Sequence, residues 1–294
     1  MEEKLLSVVI PSYNRADKIE RSVRSVLNQD YRNLEVIVVD DGSEDNTANV
    51  IKGIRDSRVR YIYQKNAGAC AARNNGIRHA RGEYIAFHDS DDIWHLDKLK
   101  KQMPILLNNQ ADIVFCKLAL IDERGKSDGI ARPTYINGGL VSPIRTVFGV
   151  STQTLVMKAD VARNYLFDEK MPRWQDFEFL LRATQNNRLY CIDEPLVDYI
   201  IGGDSISRNP RKLVDAAKRV ITKHPWLNTK YPYMSEQVAN ALFGDALHLH
   251  NQELKEILDI IKKYRLSSKL QIKILILQFG LWGFAHKIKH LLIK

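Results

Sequence analysis

From Leu6 to His88 the chain alternates short apolar runs with amphipathic spans, and this alternation limits its fold more than any other feature. Leu6 to Pro11, Glu35 to Asp40, Val59 to Tyr63 and Tyr84 to His88 are rich in Val, Ile or Tyr and bounded by turn residues, the pattern of strands. Between them the spacing predicts helices over roughly Asp17 to Gln29, Thr47 to Asp56 and Ala69 to Ala80, with Ile19, Val23, Val26 and Leu27 on one face of the first. Strands alternating with helices imply right-handed crossovers and a mostly parallel central sheet covered on both faces, an α/β fold. Ligands of such sheets bind beyond the carboxyl ends of the strands. Three polar clusters stand there, Pro11 to Arg15, Asp40 to Ser43 and Asp89 to Asp92, so all three are expected to face one crevice.

The run Tyr84 to Asp92 leads a strand straight into Asp89, Asp91 and Asp92. Carboxylates this close repel one another unless a cation or a hydrogen-bond network offsets the charge. Oxygen ligands suit Mg²⁺ or Mn²⁺, ions that keep positions open for substrate phosphates. A solvated acidic turn, with Asp91 or Asp92 capping a helix that begins at Ile93-Trp94, is the competing reading.

Further along, Asp112 to Leu120 and Thr152 to Met157 read as strands separated by a loop from Gly125 to Pro143. A helix follows from Pro172 to Arg182, then strands at Leu189 to Ile192 and Leu196 to Ile201, and helix from Pro210 to the end. The expected boundary falls near Asn209, giving domains 1–209 and 210–294. With 294 residues, 45% hydrophobic and 27% charged, core size is not limiting and disorder is excluded. Cys70, Cys116 and Cys191 are scattered without CxxC spacing, so neither a disulfide framework nor a zinc site follows, and a cytoplasmic setting is expected. Acids in Met1 to Lys4 argue against a secretion signal, and no apolar stretch reaches the roughly 18 residues of a spanning helix.

Ser7 to Arg15, Val38 to Ser43, Asn66 to Asn74 and Asp89 to Asp92 follow one another in the order and spacing of family 2 glycosyltransferases, and the chain resembles their bacterial, non-processive members from about residue 5 to 205. That resemblance implies a GT-A fold with a Rossmann-like sheet, a nucleotide-diphosphate sugar donor, most commonly a UDP-sugar, a divalent metal and inverting transfer. It makes Tyr13 a stacking platform for the base and Asp41 an acceptor for the base imide, with Pro11 and Asn14 completing the nucleoside pocket. Gly68 is given backbone approach to the nucleotide, and Arg73 reaches either phosphate or base, or pairs with a carboxylate of the acidic run. Asp91 is implied as the main metal ligand, Asp89 holds the ribose or a metal-bound water, and Ser90 joins the nucleotide-sugar contacts. Asp92 is the less certain third acid.

Inverting transfer needs one base to take the acceptor hydroxyl's proton. Asp176 stands at the family's base position, although Gln175 replaces the commoner Glu before it. Taken alone, Asp41 is equally an Asp-Gly turn residue, and Asp176 a charge complementing a helix dipole. Arg173 and Trp174 are candidates for the sugar or acceptor site, and Arg208, on a glycine-bearing loop, for closing over the diphosphate. A Gln-x-x-Arg-Trp element, the mark of processive members, is absent, so single-sugar addition to a glycan or lipid-linked acceptor is expected, in polysaccharide or glycoconjugate synthesis.

Formal net charge is +9, and from Asn251 to Lys294 nine Lys and Arg stand against three acids. Mixed with Leu281, Trp282, Phe284 and Ile288, this tail favours an anionic membrane surface over nucleic acid, or packs on its own domain with snorkelling lysines. The expected location is therefore cytoplasmic and peripheral at the inner face of the membrane, with a homodimer through the tail left open. A nicotinamide dehydrogenase is excluded because Pro11-Ser12-Tyr13-Asn14 replaces its Gly-x-Gly-x-x-Gly turn. A metal-dependent phosphohydrolase and a non-catalytic nucleotide-sugar-binding protein of the same fold are the alternatives.

Overall fold

The computed structural model describes residues 3–122, 124–134, 136–142, 147, 149–201, 210–231, 236, 238–240, 242, 251–262 and 271. The chain divides into two compact units, Met1–Ser205 and Ile206–Lys294.

In the first unit β1 (Leu6–Ser12), α1 (Ile19–Leu27), β2 (Leu34–Asp40), α2 (Thr47–Gly53), β3 (Val59–Tyr63), α3 (Ala69–His79) and β4 (Tyr84–Phe87) alternate as the sequence predicts. Then come β5 (Ile93–Trp94), α4 (Lys98–Leu107), β6 (Ile113–Ile121), β7 (Gly139–Val141), β8 (Leu155–Lys158), α5 (Ala159–Tyr165), α6 (Gln175–Ala183) and β9 (Leu189–Ile200). The nine strands form one sheet in the order β3-β2-β1-β4-β8-β6-β9-β5, with β7 also paired to β9. The pairings β1–β2, β1–β4, β2–β3 and β6–β9 are parallel, and they are the longer ladders of the sheet.

Alternate residues of β1 and β2 point to opposite faces, and both faces are covered. Leu6, Val8 and Ile10 join Val36, Val38 and helix residues Ile19, Val23, Val26, Ile51, Leu99 and Met103 in one core. Each such fully buried aliphatic side chain contributes roughly 1.5–3 kcal/mol. On the other face α3 crosses β1 so closely that a Cβ at Gly76 would overlap Val9 Cγ1. Phe87 packs edge-on to Phe167 at 5.1 Å and Phe179 at 6.4 Å on that side.

Several elements differ from expectation. Ile93-Trp94 starts no helix: the pair forms β5, in register with Asp198 and Val197 of β9. α4 had no sequence assignment because Pro104 interrupts its interior pattern, since proline supplies no amide donor there. Gly125 to Pro143, expected as loop, contains β7 and bridges back through Leu118↔Arg132 and Ile121↔Ser127. The two strands expected over Leu189 to Ile201 are one, because a register shift in the β6–β9 ladder absorbs Asp193 and Glu194 before Pro195 pairs with Lys117. Thr152–Thr154 is a 3₁₀ turn before β8, and α6 begins only at Gln175.

In the second unit the described residues form α7 (Pro210–Lys223), α8 (Leu227–Lys230) and α9 (Asn251–Ile261). Leu213, Val214, Ala217 and Val220 of α7 and Ile257 and Ile261 of α9 are buried. Glu256 of α9 receives Arg211 at 3.2 Å and Lys218 at 2.5 Å from α7. No described helix is long and apolar enough to cross a membrane.

Candidate active site

Connections leave β1 toward β2 on one side and reach β4 on the other, so the carboxyl end of β1 is the point where strand order reverses, where such sheets bind ligands. Tyr13 follows β1 there with 43% of its surface exposed. Asn14 adopts φ 50°, and its amide N–H donates to Ser43 Oγ at 2.9 Å while its Oδ1 accepts from Glu44 N at 2.9 Å. Asn is among the few residues that tolerate the left-handed region. Pro11 is buried within β1, in register with Val39.

Asp41 is 4% exposed and binds the following turn. Its Oδ1 accepts from Gln64 Nε2 at 2.7 Å and Ala67 N at 2.9 Å, and its Oδ2 from Gly68 N at 2.8 Å. A carboxylate offers about four acceptor positions, so one remains on Oδ2. Gly68, at φ 93°, opens α3, and an added Cβ there would meet nothing within 4 Å. Neighbouring Asp40 accepts from Ser43 N and the Tyr61 hydroxyl, at 2.8 and 2.7 Å.

Arg73 of α3 links the acidic run to α6. It is 6% exposed, donates from Nη2 to Asp89 Oδ1 at 2.8 Å and from Nη1 to Gln175 Oε1 at 3.0 Å, and lies 5.5 Å from the Phe167 ring centre. Of the alternatives the sequence allowed, the carboxylate pairing is the one present in the structure. Asn74, next to it, holds the approach to α6 by accepting from Phe167 N at 2.8 Å and donating to Phe167 O and Glu169 Oε1, each at 2.9 Å. Neither Gln175's grip on Arg73 nor the Asn74 clamp follows from sequence, because both join residues about a hundred positions apart; the adjacency of a charged and an amide side chain on a buried helix face was the available signal.

The acidic run is electrostatically strained. Burial and then Asp89 push the Asp91 carboxyl above its usual range, against Arg15 at 3.6 Å. Burial, with Asp89 and Asp91 adding to it, raises Asp92 well above that range. Asp91 keeps 35% of its side chain exposed, whereas Asp92 is 1% exposed. Ser90 is buried at 7%. Among the described residues no group of three or more His, Cys, Asp or Glu side chains is arranged to hold a metal. Asp91 with Asp89 fits the other arrangement, an ion carried on one or two carboxylates and substrate phosphates, and the mutual repulsion within the run favours a cation there.

Asp176 is half-buried in the first turn of α6, and burial raises its carboxyl to about 6; Arg73 opposes this and Asp89 adds to it. A carboxylate so placed is suited to proton transfer near neutral pH. Trp174, just before it, adopts φ 59° and ψ 34°, an outlier for a bulky residue, and packs edge-on to Phe177 at 6.1 Å. Arg173 is half-buried beside it. The structure thus links Arg73, Asp89, Asp91 and Asp176 by contacts and fields, while Asp41 binds Gly68 at the start of the helix that carries Arg73; Arg208 lies outside the described residues.

The sequence profile of glycosyl transferase family 2 matches residues 7–163. A named relative from Escherichia coli, "UDP-Glc:alpha-D-GlcNAc-diphosphoundecaprenol beta-1,3-glucosyltransferase WfgD", is 30% identical over 222 residues, 72% of this chain and 83% of its own. The chain spans 40%, 31% and 35% of the lengths of three uncharacterized rickettsial glycosyltransferases that it also matches. The fold is shared with Staphylococcus aureus TarS, solved in complex with UDP-GlcNAc, at TM-score 0.64, 19% identity and coverage of 94% of this chain and 92% of that one. It is shared too with a mannosyltransferase from Pyrobaculum calidifontis in complex with GDP-Man and Mn²⁺, at TM-score 0.56, 18% identity and coverage of 85% and 77%. The architecture is therefore GT-A, and the chain belongs to glycosyl transferase family 2.

Proposed function

We propose that this chain moves one sugar from a nucleotide-diphosphate sugar, with UDP as the carrier, to a hydroxyl of a glycan or lipid-linked acceptor, inverting the anomeric centre. The observation that carries this reading is the Arg73 bridge, which ties the acidic run through Asp89 to the helix that presents Asp176. In this reading the base stacks on Tyr13, with Pro11 and Asn14 shaping the nucleoside pocket, and its imide N–H uses the acceptor position left on Asp41. Gly68 and Ser90 approach the nucleotide sugar, and Asp91 with Asp89 would hold Mn²⁺ or Mg²⁺. Such an ion, when bound, neutralises charge on the departing diphosphate. Asp176 accepts the acceptor hydroxyl's proton on the opposite face, and Arg173 and Trp174 border the sugar or acceptor.

The UDP-GlcNAc complex of TarS and the name of the Escherichia coli relative support a UDP-sugar and a lipid-linked diphosphate acceptor. The Mn²⁺ complex of the archaeal enzyme supports the ion. In this reading residues 1–209 are the catalytic domain, and the basic tail of 210–294, which beyond Gln271 lies outside the described residues, holds the chain peripherally on an anionic membrane in the cytoplasm.

Calorimetry with UDP and Mn²⁺ tests the donor site. Wild type and Asp176→Asn are expected to bind UDP alike, and Asp91→Ala to lose the metal-dependent part of that affinity. Normal Mn²⁺-dependent UDP binding by Asp91→Ala removes the metal assignment.

A further inference from the structure

The acidic run contains two kinds of carboxylate, and the β5–β9 ladder separates them. Ile93 and Trp94 pair antiparallel with Asp198 and Val197, and the His95 amide donates to Leu196 O at 3.0 Å. Hydrogen-bonded pairs recur every second residue in such a ladder. Continuing the register past Ile93 and Asp198 would set Ile200 opposite Asp91 and direct the Ile200 amide at the Asp91 carbonyl. That bond is replaced. The Ile200 amide donates to Asp92 Oδ1 at 3.1 Å, and the Asp91 carbonyl accepts from Arg21 Nη2 at 3.1 Å. Asp92 is 1% exposed, and the Gln153 side chain also reaches its carboxyl, so solvent does not reach this group.

We propose that Asp92 is a positioning residue and not an ion ligand: its carboxylate ends the β5–β9 ladder in place of the Asp91 carbonyl and thereby turns the Asp91 side chain outward into the crevice. Three anchors hold the turn, namely Asp92 on Ile200, Arg21 on the Asp91 carbonyl, and Ser22 Oγ donating to the Asp89 carbonyl at 2.8 Å. Two come from side chains of α1 and one from the run itself. The division of labour rests on the proposed donor site, since it assigns the ion to Asp91 and Asp89 and the geometry of the loop to Asp92.

Asp92→Asn keeps an oxygen for the Ile200 amide and removes the charge, whereas Asp92→Ala removes both. Amide hydrogen exchange at Ile200 reads the anchor directly, and calorimetry with UDP, with and without Mn²⁺, reads the ion. Asp92→Asn is expected to keep Ile200 protected and its Mn²⁺-dependent UDP affinity within about threefold of wild type, because the ligands remain in place. Asp92→Ala is expected to lose protection at Ile200 and weaken that affinity about tenfold, as outer-shell changes at metal sites do. Asp91→Asn is expected to lose the metal dependence while leaving Ile200 protected. An equally complete loss of metal dependence in Asp92→Asn and Asp91→Asn overturns the assignment, and so does unchanged Ile200 exchange in Asp92→Ala. If wild type binds no UDP with Mn²⁺, the donor reading fails, while the Ile200 measurement still decides the anchor.

Discussion

The two halves of the candidate site treat their carboxylates in opposite ways. At the ends of β1 and β2, Asp41 receives three donors and Asp40 two, so the turn from Gln64 to Gly68 is tied down before any ligand arrives. Beyond β4 and at the start of α6, burial and like charge raise Asp91, Asp92 and Asp176 above the ordinary carboxylate range. Satisfied polar groups stabilise and specify shape, whereas under-compensated buried charge costs stability and marks a site kept for chemistry. On the proposed reading the first half moulds a flat base and the second is held poised for cations and protons.

If that contrast is right, substitutions in the two halves move different measurements. The largest effect belongs to Asp176→Asn, which is expected to lower sugar transfer by about 10²–10⁴-fold, the range of a lost general base, with UDP affinity near wild type. The same variant is expected to melt higher at pH 7. The folded chain retains a proton on Asp176 up to about pH 6, whereas the unfolded chain releases it near the ordinary Asp value, so stability falls as pH rises between these limits. An asparagine there escapes that loss. A lower melting temperature together with lost transfer would mean that Asp176 is a structural residue. Asp41→Ala should do the reverse. It strands two backbone amides and one side-chain amide, a cost of about 3 kcal/mol, and should lower the melting temperature and UDP affinity together.

Next in size is the pH dependence of transfer itself. Asp176 acts as a base only when deprotonated, so the rate at saturating substrate should fall about tenfold per pH unit below about pH 6 and level off above it. Arg73 holds this carboxyl down by its charge, so Arg73→Met should move the acid limb upward in pH. A limb that stays in place in that variant would show that the Arg73 bridge does not govern the base.

The strands and clusters of the first half were legible in sequence because each lies within a short run: Val38 to Ser43 is a strand end and its turn, read without reference to anything distant. Sequence offers Asp176 as a candidate base but not its environment, since Gln175 and Arg73 meet across 102 positions. The reading of Ile93-Trp94 as a helix start failed for the same reason, because only β9, more than a hundred residues away, makes that pair a strand. α4 was hidden by Pro104, and the start of α6 by Trp174, whose left-handed backbone no propensity anticipates. Asp92 stood in the motif in plain view, but its separation from Asp91 depends on which amide it meets.

The smallest expected effect tests the mould at one atom. Gly68 has φ 93° with open space around its missing Cβ, so Gly68→Ala carries backbone strain without a clash. With ψ 161° this is a region that glycine alone ordinarily occupies, and such strain costs about 1–3 kcal/mol, each kcal/mol lowering the melting temperature of a unit of this size by about 2–4 °C. If the residue relaxes toward negative φ instead, its amide leaves Asp41 Oδ2, and UDP affinity should fall by more than the stability loss accounts for. A variant that loses that small stability and keeps full UDP affinity would show that the turn's hold on Asp41 matters to the fold but not to the nucleotide, which would break the comparison at its tighter half.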